Sequence, residues 1–340
     1  MDGEWRDDRV LLGGDARQRF YDSRGYGRPV DDGGLALAPV EAAHLLSRGD
    51  LDTVDGEGFD RFLATHGDTL GIRFLVYSDL RERGFYLSPA RAGWVDDADP
   101  EIDLVVHPRG TGPPEGQVEY RLRVVGERTS IRADSLGDRV LSVVDEEGEV
   151  TYFHTDRPTL EGDSRFDPPT ATGALLADRV VVWEPPRDLY ETGFYGQPLG
   201  GREMDGALQL SLVEAAYLAR QGALSIDGGE AAVTERGRAV EGERFDRRLA
   251  VYAHLRDRAV VPKTGFKFGA DFRTYAHVES IDDLGHSENL VRVLPADYVF
   301  TPRELALDVR LAGGVRKRMV FAQVDDEGAI DWLSVGRLTP

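Results

Sequence analysis

Three residues in the last quarter of the chain carry side chains suited to acid–base chemistry on a phosphate. Tyr275 stands in Phe272-Arg273-Thr274-Tyr275, His286 in Gly285-His286-Ser287-Glu288-Asn289-Leu290, and Lys317 in Val315-Arg316-Lys317-Arg318-Met319. Histidine, with a pKa of about 6.5, suits proton donation to a leaving group. Lysine is a compact point charge where arginine is a planar fork. Tyrosine, with a pKa of about 10, serves as a base where a nearby cation lowers that value. Cleavage of RNA by its own 2′-hydroxyl needs these three parts. A base takes the 2′ proton, an acid protonates the departing 5′ oxygen, and a cation steadies the five-coordinate phosphorus. Each residue alone has a blander reading: a strand tyrosine packs, a lone histidine sits at the surface, and a three-base run is a solvated face. It is their conjunction that points to chemistry.

Charge singles out the same stretch. Among 340 residues, 61 acids and 41 bases give a net charge of −20. The first 250 residues hold −19 of it, and residues 251–340 are near neutral at −1. Lysine occurs only at Lys263, Lys267 and Lys317, against 38 arginines. Adaptation to a salty cytoplasm and GC-rich coding both produce such a bias. On either account a retained lysine marks a place where arginine does not serve.

The remaining composition excludes other classes. With no cysteine there are no disulfides, thiolate metal sites or cysteine nucleophiles. No apolar run reaches the roughly 20 residues of a membrane span, and the N-terminus has no signal-peptide pattern. A soluble, cytoplasmic protein without membrane partners is expected. A hydrophobic fraction of 41% supports a packed core.

The elements that must position these residues occur twice. RFYDSRGYGRP (19–29) matches DLYETGFYGQP (188–198), FLVYSDLRERG (74–84) matches LAVYAHLRDRA (249–259), and VVDEEGEVTYF (143–153) matches QVDDEGAIDWL (323–333). Val40-Glu41-Ala42-Ala43 likewise matches Val213-Glu214-Ala215-Ala216. A slowly growing offset means a duplicated domain. Residues 1–156 form one copy and 174–340 the other, the second dividing at about 243/244. The Pro- and Gly-rich stretch 157–173 reads as a linker.

Within the second copy, Ser211 to Glu214 is a capping box opening a helix. The first copy has Pro39 at the same place. Phe245, Leu249, Tyr252 and Leu255 recur at helical spacing. Strands follow, and Thr301-Pro302-Arg303-Glu304 starts another helix. Asp325-Asp326-Glu327-Gly328 joins the last two strands as a hairpin. Each repeat is thus expected to be helices followed by a mixed sheet with a helix inserted. Local offsets set Tyr275 opposite His107, His286 opposite Gln117 and Lys317 opposite Gly137, so one copy keeps the polar residues and the other does not.

Together, KTGFKFGADFRTY, HSENLVRV and VRKRMVFAQVD resemble the catalytic domain of the archaeal tRNA-splicing endonucleases, in their homodimeric two-repeat form. The resemblance implies an α/β (α+β) fold in two tandem repeats. Each is a small N-terminal α/β subdomain plus a restriction-endonuclease-like α/β C-terminal subdomain. It implies metal-independent cutting of precursor tRNA at both intron boundaries of a bulge–helix–bulge element, without a cofactor and not on DNA. The expected ends are 2′,3′-cyclic phosphate and 5′-hydroxyl. By motif, Tyr275 is the base, His286 the acid and Lys317 the cation. Arg310 matches an arginine that grips a bulged base, with Trp332 as its first candidate mate and Arg337 as the second. An acidic hairpin that docks on the partner subunit is matched by Asp145, Glu146, Glu147 and Glu149. Two rival readings remain at this stage. One is a metal-dependent nuclease using Asp271, Asp282 and Asp283. The other is a catalytically inactive RNA-binding or assembly subunit.

Overall fold

Local signals fix the helices. The structure, a computed structural model, describes residues 1–30, 33–67, 69–201 and 206–340. Ser211 Oγ accepts the Glu214 amide at 3.2 Å, while the Glu214 carboxylate accepts the Ser211 amide at 3.0 Å. The capping box therefore opens the helix Leu212–Arg220. Pro39 starts the matching helix Pro39–Ser47. The buried Phe245, Leu249, Tyr252 and Leu255 line one face of the helix Arg244–Asp257. Thr301 caps the helix Pro302–Gly314 by accepting the Glu304 amide. The helix Gly229–Glu241 has no counterpart in the sequence reading. Two glycines open it and only Val233 and Gly237 are buried, so it carries little apolar periodicity.

A ten-stranded sheet joins the two copies. From one edge it runs Val261–Thr264, Phe272–Tyr275, Asn289–Pro295, Arg318–Val324 and Ile330–Leu338. It continues through Val150–Asp156, Arg139–Val144, Tyr120–Gly126, Leu104–His107 and Tyr86–Pro89. Each copy thus supplies five strands in chain order from its outer edge inward. The third and fourth are parallel in both copies, and the other neighbours are antiparallel. The two final strands meet antiparallel at the centre, Tyr152 opposite Leu338 and Asp156 opposite Ser334.

A parallel pair needs a crossover. In the second copy the helix Pro302–Gly314 provides it. The first copy overturns the expectation of an inserted helix. Its shorter connection holds only the strand Ile131–Arg132 and the 3₁₀ turn Ala133–Ser135. The single helix serves both halves: Leu305 and Val309 share one core with Ile131, Leu136 and Phe153 of the first copy. Residues 157–170 contain neither helix nor strand.

Candidate active site

Strand register assembles the site. Thr274 pairs with Asn289, and Asn289 pairs with Arg318, so these three form one row across adjacent strands. Tyr275 and Lys317 each lie one residue beyond that row, and His286 lies three residues before it. All three emerge at the same end of the sheet, where adjacent strands lie about 5 Å apart and one strand separates that of Tyr275 from that of Lys317. Extending the pairing of Met319 with Val335 brings Lys317 opposite Arg337.

Each side chain has a distinct local support. The Tyr275 ring is 5% exposed and meets Phe194 edge-on at 5.7 Å. His286 is exposed on the loop between the second and third strands. Lys317 follows a helix-ending turn in which its amide reaches Ala312 O at 2.9 Å and the Arg316 amide reaches Gly313 O at 3.0 Å. Arg316 there has φ 56°, a left-handed position usually given to glycine. The Lys317 ammonium donates to Ser287 O at 2.5 Å, which ties it to the residue after His286. Partial burial, and then the Arg273 guanidinium, lower the Lys317 pKa.

Arg273 escaped the sequence reading. It stands two residues before Tyr275, the spacing that puts two strand residues on one face. Its guanidinium lies 5.8 Å from the Tyr275 ring centre, and its Nε is buried without a hydrogen-bond partner. Beneath it, Lys263 donates to Glu214 at 2.8 Å and to Gly196 O at 2.9 Å. Burial would raise the Glu214 pKa, but Lys263 overcomes it and holds the carboxyl down at about 2. A cleft of about 650 Å³ opens here between the small N-terminal part of the second copy and the sheet edge, lined by Lys263, Lys267 and Arg273 among others.

The structure does not bring Arg310 and Trp332 together. Trp332 is 8% exposed, with its indole N–H 3.3 Å from His254 Nε2. It packs with the core under the helix Arg244–Asp257, whereas Arg310 rides exposed on the helix covering the opposite face. Trp332 also pairs with Ala322, five residues along the strand from Lys317. Arg337 is exposed at the Lys317 end and shares its strand face with Leu333 and Val335, which face Arg310's helix.

Of the carboxylates, Asp271 is committed to structure. It is 7% exposed, bonded to Arg244 at 2.5 Å and to the Val293 amide at 2.8 Å. The acidic hairpin turns as its residues predict: Asp145 Oδ1 accepts the Glu147 and Glu149 amides at 2.9 Å, and Gly148 has φ 84°. Asp325 does the same for Glu327 and Ala329 at 3.0 and 2.8 Å.

Residues 245–332 match the family described as tRNA intron endonuclease, catalytic C-terminal domain, and residues 1–63 and 171–237 match its N-terminal domain. The chain belongs to the tRNA intron endonuclease family. It is 64% identical to the tRNA-splicing endonuclease of Natronomonas pharaonis and 62% to that of Haloferax volcanii, over all of each chain. It is 37% identical to that of Methanococcoides burtonii over 97% of both. The first two relatives come from halophilic archaea, in keeping with the acidic, lysine-poor composition. The catalytic-domain match spans Tyr275, His286 and Lys317. Among the described residues, no helix is long and apolar enough to cross a membrane.

Proposed function

We propose that this tRNA-splicing endonuclease cuts precursor tRNA at the intron boundaries of a bulge–helix–bulge element, through the RNA's own 2′-hydroxyl. The convergence of Tyr275, His286 and Lys317 at one sheet end carries the reading. Tyr275 takes the 2′ proton, with the Arg273 guanidinium 5.8 Å from its ring centre. The 2′ oxygen attacks the adjacent phosphorus. Lys317, pointed by Ser287 O, places a compact charge where negative charge develops. His286, exposed beside it, protonates the departing 5′ oxygen. The products are a 2′,3′-cyclic phosphate and a 5′-hydroxyl.

Two cuts per substrate and one such site per chain imply a homodimer, most simply with two-fold symmetry. The cleft bearing Lys267 and Arg273, which have no ion pair among the described residues, suits the four acids of Asp145–Glu149 from the partner. Arg310 with Arg337, rather than Trp332, is the pair suited to grip a bulged base.

Cleavage of a bulge–helix–bulge RNA in excess EDTA, with the ends mapped, tests this reading. Full activity and cyclic phosphate ends are expected. A single 2′-deoxy nucleotide on the 5′ side of a cut should abolish that cut, because the nucleophile is gone. Loss of activity in EDTA, or efficient cutting of the deoxy substrate, would instead favour a metal-dependent nuclease.

A further inference from the structure

The loop from Ala276 to Glu288 carries His286 yet has neither helix nor strand of its own. Its far end is tied to the sheet: the Glu288 amide donates to Thr274 O at 3.0 Å, and Lys317 holds Ser287 O. Its near end is tied to the segment between the repeats. The Asp163 amide donates to Ala276 O at 3.0 Å. Ser164 Oγ donates to the same carbonyl at 3.2 Å and accepts the Val278 amide at 2.7 Å. The Asp163 carboxylate meets His277 Nδ1 at 2.8 Å.

The other side of this segment grips the end of the helix Arg244–Asp257. The Gly162 amide donates to Arg258 O and the Ser164 amide to Ala259 O, both at 3.0 Å. Gly162 fits because it has no side chain. A Cβ there would lie 2.4 Å from Ala259 O and 2.5 Å from Ala276 O. On either side, Leu160 is buried in the core of the second copy, and Phe166 packs against it. A Gly- and Pro-containing tether with only a connecting role would stay solvated and extended. This one is stitched to the residue that follows Tyr275.

The first copy explains the need. There, His107 occupies the Tyr275 position and closes its own loop, its Nδ1 2.7 Å from Gln117 O. Among the described residues Tyr275 makes no such bond, so the catalytic loop takes its brace from outside. We propose that Gly162-Asp163-Ser164 is a positioning splint for the catalytic loop. It fixes the backbone leaving Tyr275, and so the path that delivers His286. The inference rests on the assignment of Tyr275 and His286 above. None of the three residues is catalytic; they act through the loop.

The test uses the full chain and a precursor tRNA, with single-turnover rate and RNA affinity measured at one fixed salt concentration. Misplacement by about 1 Å can lower a rate by about 10²-fold. Ser164→Ala should lower the rate about 10-fold, with RNA affinity and melting temperature unchanged and faster hydrogen exchange at the Val278 amide. Ser164→Thr should restore the rate. Gly162→Val should lower it further; if that variant fails to fold, the Ser164 pair decides. A Ser164→Ala protein that cleaves at the parental rate, or loses rate and affinity in equal proportion, would overturn the splint. His286→Ala, run alongside, separates the two readings. An active His286→Ala protein sinks the acid assignment. An inactive one beside a fully active Ser164→Ala sinks the splint alone.

Discussion

The two copies keep the same frame and part at the same end of the sheet. In both, a glutamate at the third helical position accepts a glycine amide from the preceding loop: Glu41 from Gly27 at 2.7 Å and Glu214 from Gly196 at 3.0 Å. An arginine lies over a tyrosine ring in both, Arg81 on Tyr26 at 4.1 Å and Arg256 on Tyr195 at 3.8 Å. The strand registers then equate Tyr275 with His107, Lys317 with Gly137, Arg273 with Val105 and Lys263 with Ser88. Where the second copy presents cations, the first has filled the space with packing. His107 is buried and pinned by Ser88 at 2.9 Å. Beside Gly137, a Cβ would lie 2.8 Å from the Arg157 guanidinium, which is itself paired with Asp331 of the other copy. A duplicated fold thus retains the residues that shape turns and cores. It releases the residues to which we assign the chemistry.

The largest way to break the comparison is to make the second copy resemble the first. Lys317→Gly and His286→Gln import the residues at 137 and 117. Loss of one transition-state stabiliser lowers rates by about 10²–10³, and loss of acid catalysis by about 10²–10⁴. Lys317→Arg should also lose most activity, because a planar fork misplaces the charge. RNA binding should persist in all three. Near-parental single-turnover rates would remove the assigned roles.

The buried glutamates give the next contrast. Burial pushes the Glu41 pKa up to about 7, against the Gly27 and Ala38 amides and the charges of Arg81 and Arg91; Lys263 holds Glu214 at about 2. The signs are opposite. Glu41 titrates above its unfolded value, so its contribution to stability is complete below about pH 4.5 and fades as the pH rises through 7. Glu214 contributes above about pH 4.5, and that contribution fades as the pH falls toward 2. Lys263→Ser strands the Glu214 charge and should destabilise by about 3–5 kcal/mol near neutral pH. Glu41→Gln should instead flatten the loss of stability between about pH 5 and 8, worth roughly 3 kcal/mol. Denaturant melts across pH read both; parallel pH profiles in the parent and Glu41→Gln would refute the unpaired-carboxyl account.

A smaller effect separates the two clamp candidates. Arg337→Ala should weaken binding at bulged bases by about 1–3 kcal/mol with melting unchanged. Trp332→Ala should lower the melting temperature first, since the indole fills a core against His254. The reverse pattern would return Trp332 to the RNA surface.

The smallest contrast lies between the hairpins, which turn alike. Neutralising Asp145, Glu146, Glu147 and Glu149 should weaken the dimer in sedimentation and reduce cleavage. Neutralising Asp325, Asp326 and Glu327 should do neither. Charge pairs of this kind mainly set register and partner choice. An Asp145–Glu149 variant that stays dimeric on dilution would show that the loop does not hold the assembly.

The sequence by itself determined whatever depends on neighbours along the chain. The capping box at Ser211, the start at Pro39, the helix Arg244–Asp257 and both acidic turns follow from bonds spanning a few residues. So do the repeat and its polar asymmetry, since duplication aligns the chain with itself. Tertiary structure decided the rest, because those choices rest on contacts between distant segments. Which face Trp332 takes depends on whether its strand's alternation is read against one covering helix or two. That one crossover helix serves both copies depends on a shared core that no local window contains. Arg273's place beside Tyr275 and Lys317 comes from pairing three strands in register. Residues 157–173 carry the composition of a tether. Only the close approach of Gly162 to Ala259 and Ala276, 97 and 114 positions further along, brings it against the residue that follows Tyr275.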